Sequence, residues 1–231
     1  MIISSRVRRV AEALCHRDAL DQRRWSANRI TFELAITEQE RRGSFQFVQV
    51  GACNGVTGDP IHERVRRGGW SGILVEPQRF ESERLKSNYA GESERLSFEN
   101  LAISDAQGTR MLYGVEPDCI EAEWQRGIAS FFPLEWLDPA RVAAEPAQCI
   151  SFDALLQRHH LWHINLLQVD VEGCDFEILK LARIERLRPD LIRYEHRHSS
   201  LSDAHECKAY LRRSGYEVLP MQHATGAICR T

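Results

Sequence analysis

The chain has 231 residues, enough for one α/β domain with a full core. Its 30 basic and 33 acidic residues leave a formal net charge of −3, so no global field draws nucleic acid or anionic lipid. No apolar run reaches membrane-spanning length, which excludes membrane insertion, and no apolar signal core follows the arginines of the amino terminus. Seven cysteines without a Cys-x-x-Cys pair fit reduced thiols, so a cytoplasmic protein is expected.

Residues 1–42 are expected to form a helical extension. Val7, Val10, Ala11 and Leu14 recur at helical spacing, as do Ile30, Leu34 and Ala35 in a second segment. The arginines at 6, 8, 9, 17, 23, 24 and 29 are read as solvated helix faces and not as a nucleic-acid surface. Residues 43–231 then form the main domain.

That domain opens on Phe45–Pro60. Phe45, Phe47, Val48 and Val50 make a short buried strand, broken at once by Gly51, Gly55 and Gly58. Asp59-Pro60 reads as a cap and first-turn proline for a helix over Ile61–Arg67. Strand, glycine turn and helix let a backbone approach a ligand at a strand's carboxyl end. Gly51 and Gly55 are therefore expected where a side chain would intrude on that ligand. The spacing is neither the G-x-G-x-x-G of dinucleotide binders nor a P-loop. The next strand, Gly72–Val75, ends in Glu76-Pro77, and an acid at that position accepts hydrogen bonds from ribose hydroxyls. A glycine turn without phosphate-binding side chains, followed by a ribose acid, suits S-adenosylmethionine.

A helix over Phe80–Tyr89 follows, with Phe80, Leu85 and Tyr89 inward. Leu96–Ile103 reads as a third strand, where Asn100 meets an adenine edge or ties down loop backbone. Thr109–Gly114 is a short return strand. Residues 115–147, with four prolines and the segment Gly127–Trp136, are read as an irregular aromatic insertion able to wall the acceptor site.

Ser151-Phe-Asp153 opens the next helix and Ile164–Val169 is an apolar strand running into Asp170-Val-Glu172-Gly173. Pro189–Tyr194 supplies a further strand, ending in Glu195-His196-Arg197-His198, and Asp203–Arg213 a helix. Tyr216–Met221 and Ala227–Cys229 close as a hairpin. The alternation predicts an α/β fold, a mostly parallel sheet with helices on both faces and an antiparallel carboxyl-terminal hairpin edge. Gly51–Gly55, Glu76, Asn100, Asp170, Glu172, Glu195 and His196 should then converge at the strand ends. His196 has the intrinsic pKa of a general base, with Asp170, Glu172 and Glu195 to orient it or carry charge. Asp170, Glu195, His196 and His198 also offer metal ligands, but a divalent metal is not expected. His159, His160 and His163 are read as a polar helix end.

Four segments carry a family resemblance: Phe47-Val-Gln-Val-Gly-Ala-Cys-Asn-Gly55, Gly72-Ile-Leu-Val-Glu-Pro77, Glu99-Asn-Leu-Ala-Ile-Ser104 and Leu167-Gln-Val-Asp-Val-Glu-Gly173. With Phe176-Glu-Ile-Leu179 and Arg193-Tyr-Glu-His196, they resemble the FkbM family of S-adenosylmethionine-dependent methyltransferases. The resemblance implies a Rossmann-like methyltransferase fold and a small-molecule or glycan acceptor, methylated on a hydroxyl of a sugar or secondary metabolite. It implies Gly51, Ala52, Asn54 and Gly55 around the methionine part of the donor, Glu76 and Pro77 at the ribose, and Asn100 to Ala102 near the adenine, with Asp170 at the same site. Gln49, Gln168, Cys174 and Leu181 depart from the family pattern, which often has aspartate, lysine, alanine and glycine there. A nicotinamide-dependent oxidoreductase and a cofactor-binding module without catalysis are the rival expectations. The oligomeric state has no signal in the sequence.

Overall fold

A computed structural model describes residues 5–230, with side chains from Leu20 onward. Strand β1 (Gln46–Val50) lies between β2 (Ser71–Val75) and β8 (Leu166–Val169) inside a seven-stranded sheet. Strand β3 (Leu96–Glu99) pairs with β2, and β9 (Leu191–Glu195) with β8; these five strands are all parallel. Beyond β9 the order continues through β11 (Ala224–Cys229) to β10 (Tyr216–Pro220) at the edge. The closing hairpin is antiparallel as expected, and the reversed strand is β11, one place in from the edge. The order turns back on itself between β1 and β8, so the crevice between their carboxyl ends is the ligand position for this topology.

Because both faces are covered, the parallel strands read as near-continuous apolar runs. On one face Val48, Val50, Ile73, Val75, Leu167, Val169 and Ile192 pack against helices α4 (Phe152–Arg158), α5 (Asp175–Leu181) and α7 (Leu201–Arg213). A one-turn helix, α6 (Ile184–Leu187), joins α5 to β9. On the other face Phe47, Leu74, Leu166 and Leu191 pack under α1 (Ser5–Arg41), α2 (His62–Gly68) and α3 (Arg79–Asn88).

The amino-terminal region is one continuous helix, and its second half is built into this core. Phe32 and Ile36 are fully buried, and Phe32 lies over Gly226 of β11. The Trp70 indole N–H donates to Glu40 Oε1 at 3.0 Å, while Phe45 stacks on its ring at 3.9 Å, a contact worth about 0.5–1.5 kcal/mol beyond its area. Arg64 of α2 holds Glu33 and Glu40 at 2.9 and 2.7 Å. Ile30 and Leu34, read as recurring at helical spacing, face solvent, because the β-sheet takes the Phe32–Ile36 stripe. Val7, Val10, Ala11 and Leu14 have side chains outside the described residues.

Four other expectations change. Asp59 Oδ1 accepts from the Ile61 N–H at 2.9 Å, making a turn, and α2 starts after it. Phe80 is exposed, since only Leu85 and Tyr89 face the core. The third strand is broken at Asn100: β4 (Ala102–Ile103) leaves β3 and joins a second sheet of order β4-β7-β5-β6. That sheet contains β5 (Gly108–Val115), β6 (Ala129–Ser130) and β7 (Val142–Ile150). Most of β7, residues 142–147, lies in the stretch expected to be irregular, whose four prolines include Pro146. Proline is tolerated there because β4 meets β7 only at Cys149 and Ile150, leaving Pro146 on an edge. The six cysteines whose side chains are described are free thiols, and no helix among the described residues is long and apolar enough to cross a membrane.

Candidate active site

The turn after β1 is held by backbone. The Gly51 and Ala52 N–H groups both donate to Val75 O at 3.0 Å, and Gly51 has φ +80°. A Cβ at Gly51 would lie 1.8 Å from the Asp170 carbonyl oxygen. A Cβ at Gly55, φ +70°, would come within 2.5 Å of Leu85 and Tyr89. Both glycines are thus required by the protein's own close approach, whatever a ligand adds. Ala52 is buried in the α1–α3 core. Asn54 is also buried, and its side chain is turned into the loop: Oδ1 accepts from the N–H groups of Val56 and Thr57, both at 2.9 Å. Any contact of Asn54 with a ligand would therefore be through backbone.

Glu76 follows β2 and is 3% exposed. Its carboxylate accepts from the Cys53 N–H at 2.7 Å and, on the other oxygen, from the Gln78 N–H at 2.9 Å. One donor per oxygen leaves acceptor capacity on each for a pair of hydroxyls. Burial pushes the Glu76 pKa up to about 7, against the lowering effect of those two bonds. Asn100 is exposed, and its amide donates to the carbonyls of Glu76 and Pro77, both at 2.9 Å. It ties down the β2 loop, while Ala102 is buried on β4.

The ends of β8 and β9 carry the remaining groups. Asp170 is joined through its N–H to Val50 O at 2.9 Å, so it sits directly beside the glycine turn. Burial, then the charges of Asp175 and Glu172, push its pKa up to about 7. Glu195 is pushed up to about 7 by burial and by Asp170 and Glu172. Asp175, fully buried, is raised to about 7 by burial although it accepts from the Glu195 N–H at 3.1 Å. Four carboxyl groups, those of Asp170, Glu172, Asp175 and Glu195, are thus crowded at one place.

The histidine that joins them is His198, not His196. His198 Nε2 lies 3.3 Å from Glu172 Oε2 and 3.9 Å from Glu195 Oε2. His196 faces the other way: its Nδ1 is 3.0 Å from Thr225 Oγ1, and its ring meets Tyr194 edge-on. The reason is strand alternation, which sends Glu195 and His196 to opposite faces of the sheet. His198 returns to Glu195 because the chain leaves β9 and turns over residues 196–199, where the Ser199 N–H donates to His196 O at 3.3 Å. Ligand atoms of Glu172, Glu195 and His198 all lie within 4.8 Å of one another. The other histidine run is dispersed, His159 going to Glu99 at 2.7 Å and His163 to Asp190 at 3.2 Å.

The insertion spans both halves of the site, through Gly127 and through Glu123 and Arg126, which lie just before the segment singled out in the sequence. Glu123 Oε2 is 3.4 Å from Thr57 Oγ1, in the glycine turn. Arg126 pairs with the buried Glu81 at 3.2 Å, and its carbonyl accepts from the Gln78 amide at 2.9 Å. A Cβ at Gly127 would be 3.2 Å from Glu172 Oε1. The aromatic groups point elsewhere: Phe131 lies under the Arg110 guanidinium, and Trp124, Phe132 and Trp136 face solvent.

This strand order, with a glycine turn after one central strand and a buried acid after its neighbour, defines a Rossmann-like methyltransferase. Residues 49–218 match the family described as the Methyltransferase FkbM domain. The chain belongs to the FkbM methyltransferase family. Among solved structures it is similar to methyltransferase FkbM from Methylobacillus flagellatus KT, at 14% identity and a TM-score of 0.53, covering 80% of this chain and 43% of that one. It is also similar to the METTL16 MTase domain, at 13% identity and a TM-score of 0.49, covering 90% and 68%. The N-terminal domain of human METTL16 in complex with SAH matches at 10% identity and a TM-score of 0.45, covering 87% and 68%. The chain spans less than half the length of the FkbM structure. A comparison with curated proteins gave no match.

Proposed function

We propose that this chain moves a methyl group from S-adenosylmethionine to a hydroxyl of a small molecule, such as a sugar, a glycan or a secondary metabolite. The observation that supports it most is the convergence of two unlike clusters on one crevice. The buried carboxylate of Glu76 stands on one side of the glycine turn, and the Glu172–Glu195–His198 group on the other. Glu76 would hold the ribose, residues 51–55 would border the methionine part through backbone, and the segment from Asn100 to Ala102 would border the adenine. S-adenosylmethionine bound there supplies an electrophilic methyl group.

The chain's own task is to position the acceptor oxygen and take its proton. Most of the acceleration comes from holding the two reacting centres aligned. His198 would receive the proton at Nε2, since an imidazole within reach of the hydroxyl can act as its general base. The carboxylates of Glu172 and Glu195 favour the imidazolium that results. Asp170 lies between this group and the turn, and its raised pKa suits a residue that hydrogen-bonds the acceptor in its neutral form. Residues 123–127 of the insertion would keep water from the crevice.

A second arrangement uses the same three ligand atoms to hold a divalent cation that orients the hydroxyl. The test is methyl transfer from labelled donor to a panel of sugar and polyol acceptors, with and without chelator. Label on oxygen that survives chelation supports the histidine base. Loss restored by magnesium supports the cation, and label on nitrogen overturns the hydroxyl assignment.

A further inference from the structure

One row of side chains under the crevice is polar where the row beneath it is apolar. Gln49, Gln168 and Arg193 are register partners on β1, β8 and β9. They stand two residues beyond Phe47, Leu166 and Leu191, so they share the α1–α3 face of the sheet. Gln49 and Gln168 are neutral amides, 3% and 2% exposed, each with a buried carbonyl oxygen that has no hydrogen bond among the described residues. On its other side Arg193 pairs with Gly226 of β11, which has no side chain to meet it. Two residues further along β9, on the same face, stands Glu195. Arg193 is therefore the next group below the carboxyl cluster, about 6.6 Å down the strand.

The half-buried guanidinium of Arg193 has neither a hydrogen bond nor an ion pair among the described residues. Burial pulls its pKa down; the charges of Glu33, Asp59 and Asp170 oppose this from beyond ion-pair distance, and Arg29 of α1 adds to it. Those carboxyl groups do not neutralise it. Glu33 is bonded to Arg64 at 2.9 Å, and burial pushes the pKa values of Asp59 and Asp170 up, toward their neutral forms. Arg29 is exposed on α1 and also has no ion pair among the described residues. Two guanidinium groups thus approach one place without a counter-ion of the protein's own, which costs stability unless an anion completes the site.

The strand order indicates whose anion this is. In the function proposed above, the donor runs from Asn100 beyond β3, through Glu76 after β2, to the glycine turn of β1. Arg193 lies two strands further on, about 10 Å from β1, under the groups that would meet the acceptor. We propose that Arg193 and Arg29 hold an anionic group of the acceptor, so that the hydroxyl to be methylated belongs to an acid, a polyhydroxy compound carrying a carboxylate or a phosphate. The inference rests on the O-methyl transfer proposed above and narrows its substrate class. A guanidinium offers two parallel N–H donors that match either anion, and Arg29 adds a second charge from α1.

The test is calorimetry on the full chain saturated with S-adenosylhomocysteine, titrated with D-glucuronate, D-glucose 6-phosphate and D-glucose. One of the two acids should bind roughly ten- to a hundredfold more tightly than D-glucose, and which one it is identifies the anion. Arg193→Gln should remove that margin while S-adenosylhomocysteine affinity stays within about twofold. It should melt no lower than the wild type, since the fold disfavours the charge it removes and no hydrogen bond is lost. Arg29→Gln, at an exposed position outside the core, should reduce the margin by about threefold. Equal binding of the three probes, or binding of none, overturns the proposal. So does an Arg193→Gln protein that loses S-adenosylhomocysteine and keeps the margin, which would assign the guanidinium to the donor, or one that melts well below the wild type. Turnover with labelled donor separates the two readings: label on D-glucose as readily as on the acids leaves O-methyl transfer standing and overturns the anion site. Acid binding with the expected margin but no label on any hydroxyl supports the anion site and overturns the hydroxyl assignment.

Discussion

The two sides of the crevice are built on opposite principles. Around Gly51–Gly55 and Glu76 nearly every polar group has a partner within the protein, and the partners are mostly backbone. Around Asp170, Glu172 and Glu195 the groups are side chains of one sign, and Glu195 Oε2 is a buried oxygen without a hydrogen bond. A satisfied, backbone-made surface suits a ligand that is always the same. A crowded, unsatisfied one stores electrostatic tension that an acceptor and its proton can relieve. In the function proposed above, the difference would separate donor recognition from chemistry in space, and each side would fail in its own way.

The largest effect should come from Gly51→Val. With an Asp170 carbonyl 1.8 Å from the new Cβ and φ at +80°, the β1–β8 junction must part. The expected outcome is insoluble or unfolded protein; a folded variant that merely lost donor binding would break the comparison on its backbone side. Next, His198→Ala should lower kcat by roughly 10²–10⁴ with S-adenosylhomocysteine affinity unchanged, measured by turnover and calorimetry. Glu76→Gln should do the reverse, weakening S-adenosylhomocysteine by about 1.5–3 kcal/mol, roughly ten- to a hundredfold in Kd.

A smaller effect is expected from pH. Glu76, Asp170, Asp175 and Glu195 are each raised to about 7, above their unfolded values. The folded state therefore holds protons that the unfolded chain releases between about pH 4 and 7. Stability from these groups is full below that window and is lost as pH rises through 7. The ligand-free protein should melt several degrees higher at pH 5.5 than at pH 8 by scanning calorimetry, and donor affinity should rise over the same interval as Glu76 ionises. The smallest effect belongs to His196→Ala, which should change kcat less than about threefold because its ring is with Thr225 and Tyr194.

Much of this was legible in the sequence, and the failures have physical causes. Continuous apolar runs announced β1, β2, β8 and β9, since burial on both faces removes alternation. The same rule hid β7, whose Pro146 argues against a strand until its edge position is known. The strand ends were legible as places but not as directions. Glu195 and His196 are neighbours in sequence and opposed in space, and only the alternation along β9 separates them. Asn54 and Asn100 carried the expected polar character, yet the loops themselves consume their hydrogen bonds. Two departures from the family pattern also gain meaning: Gln49 and Gln168 are register partners on β1 and β8. Where relatives often set aspartate beside lysine, this chain sets amide beside amide, so both charges are absent together and no lone buried ion results.

The way the insertion is attached has a consequence for how such an enzyme diversifies. Residues 123–127 meet the crevice through the side chains of Glu123 and Arg126, at Thr57 and Glu81, and through the Arg126 carbonyl at Gln78, while Trp124, Phe132 and Trp136 face solvent. The glycine turn beneath is interlocked by backbone and admits almost no replacement. A library spread over the whole chain should return active variants with altered acceptor preference from positions 123–136 and almost none from 51–55. In the proposed function new substrates would be explored at the rim while the floor that borders the donor stays unchanged, so heredity in this fold would be divided between a part that must be copied faithfully and a part that is free to drift.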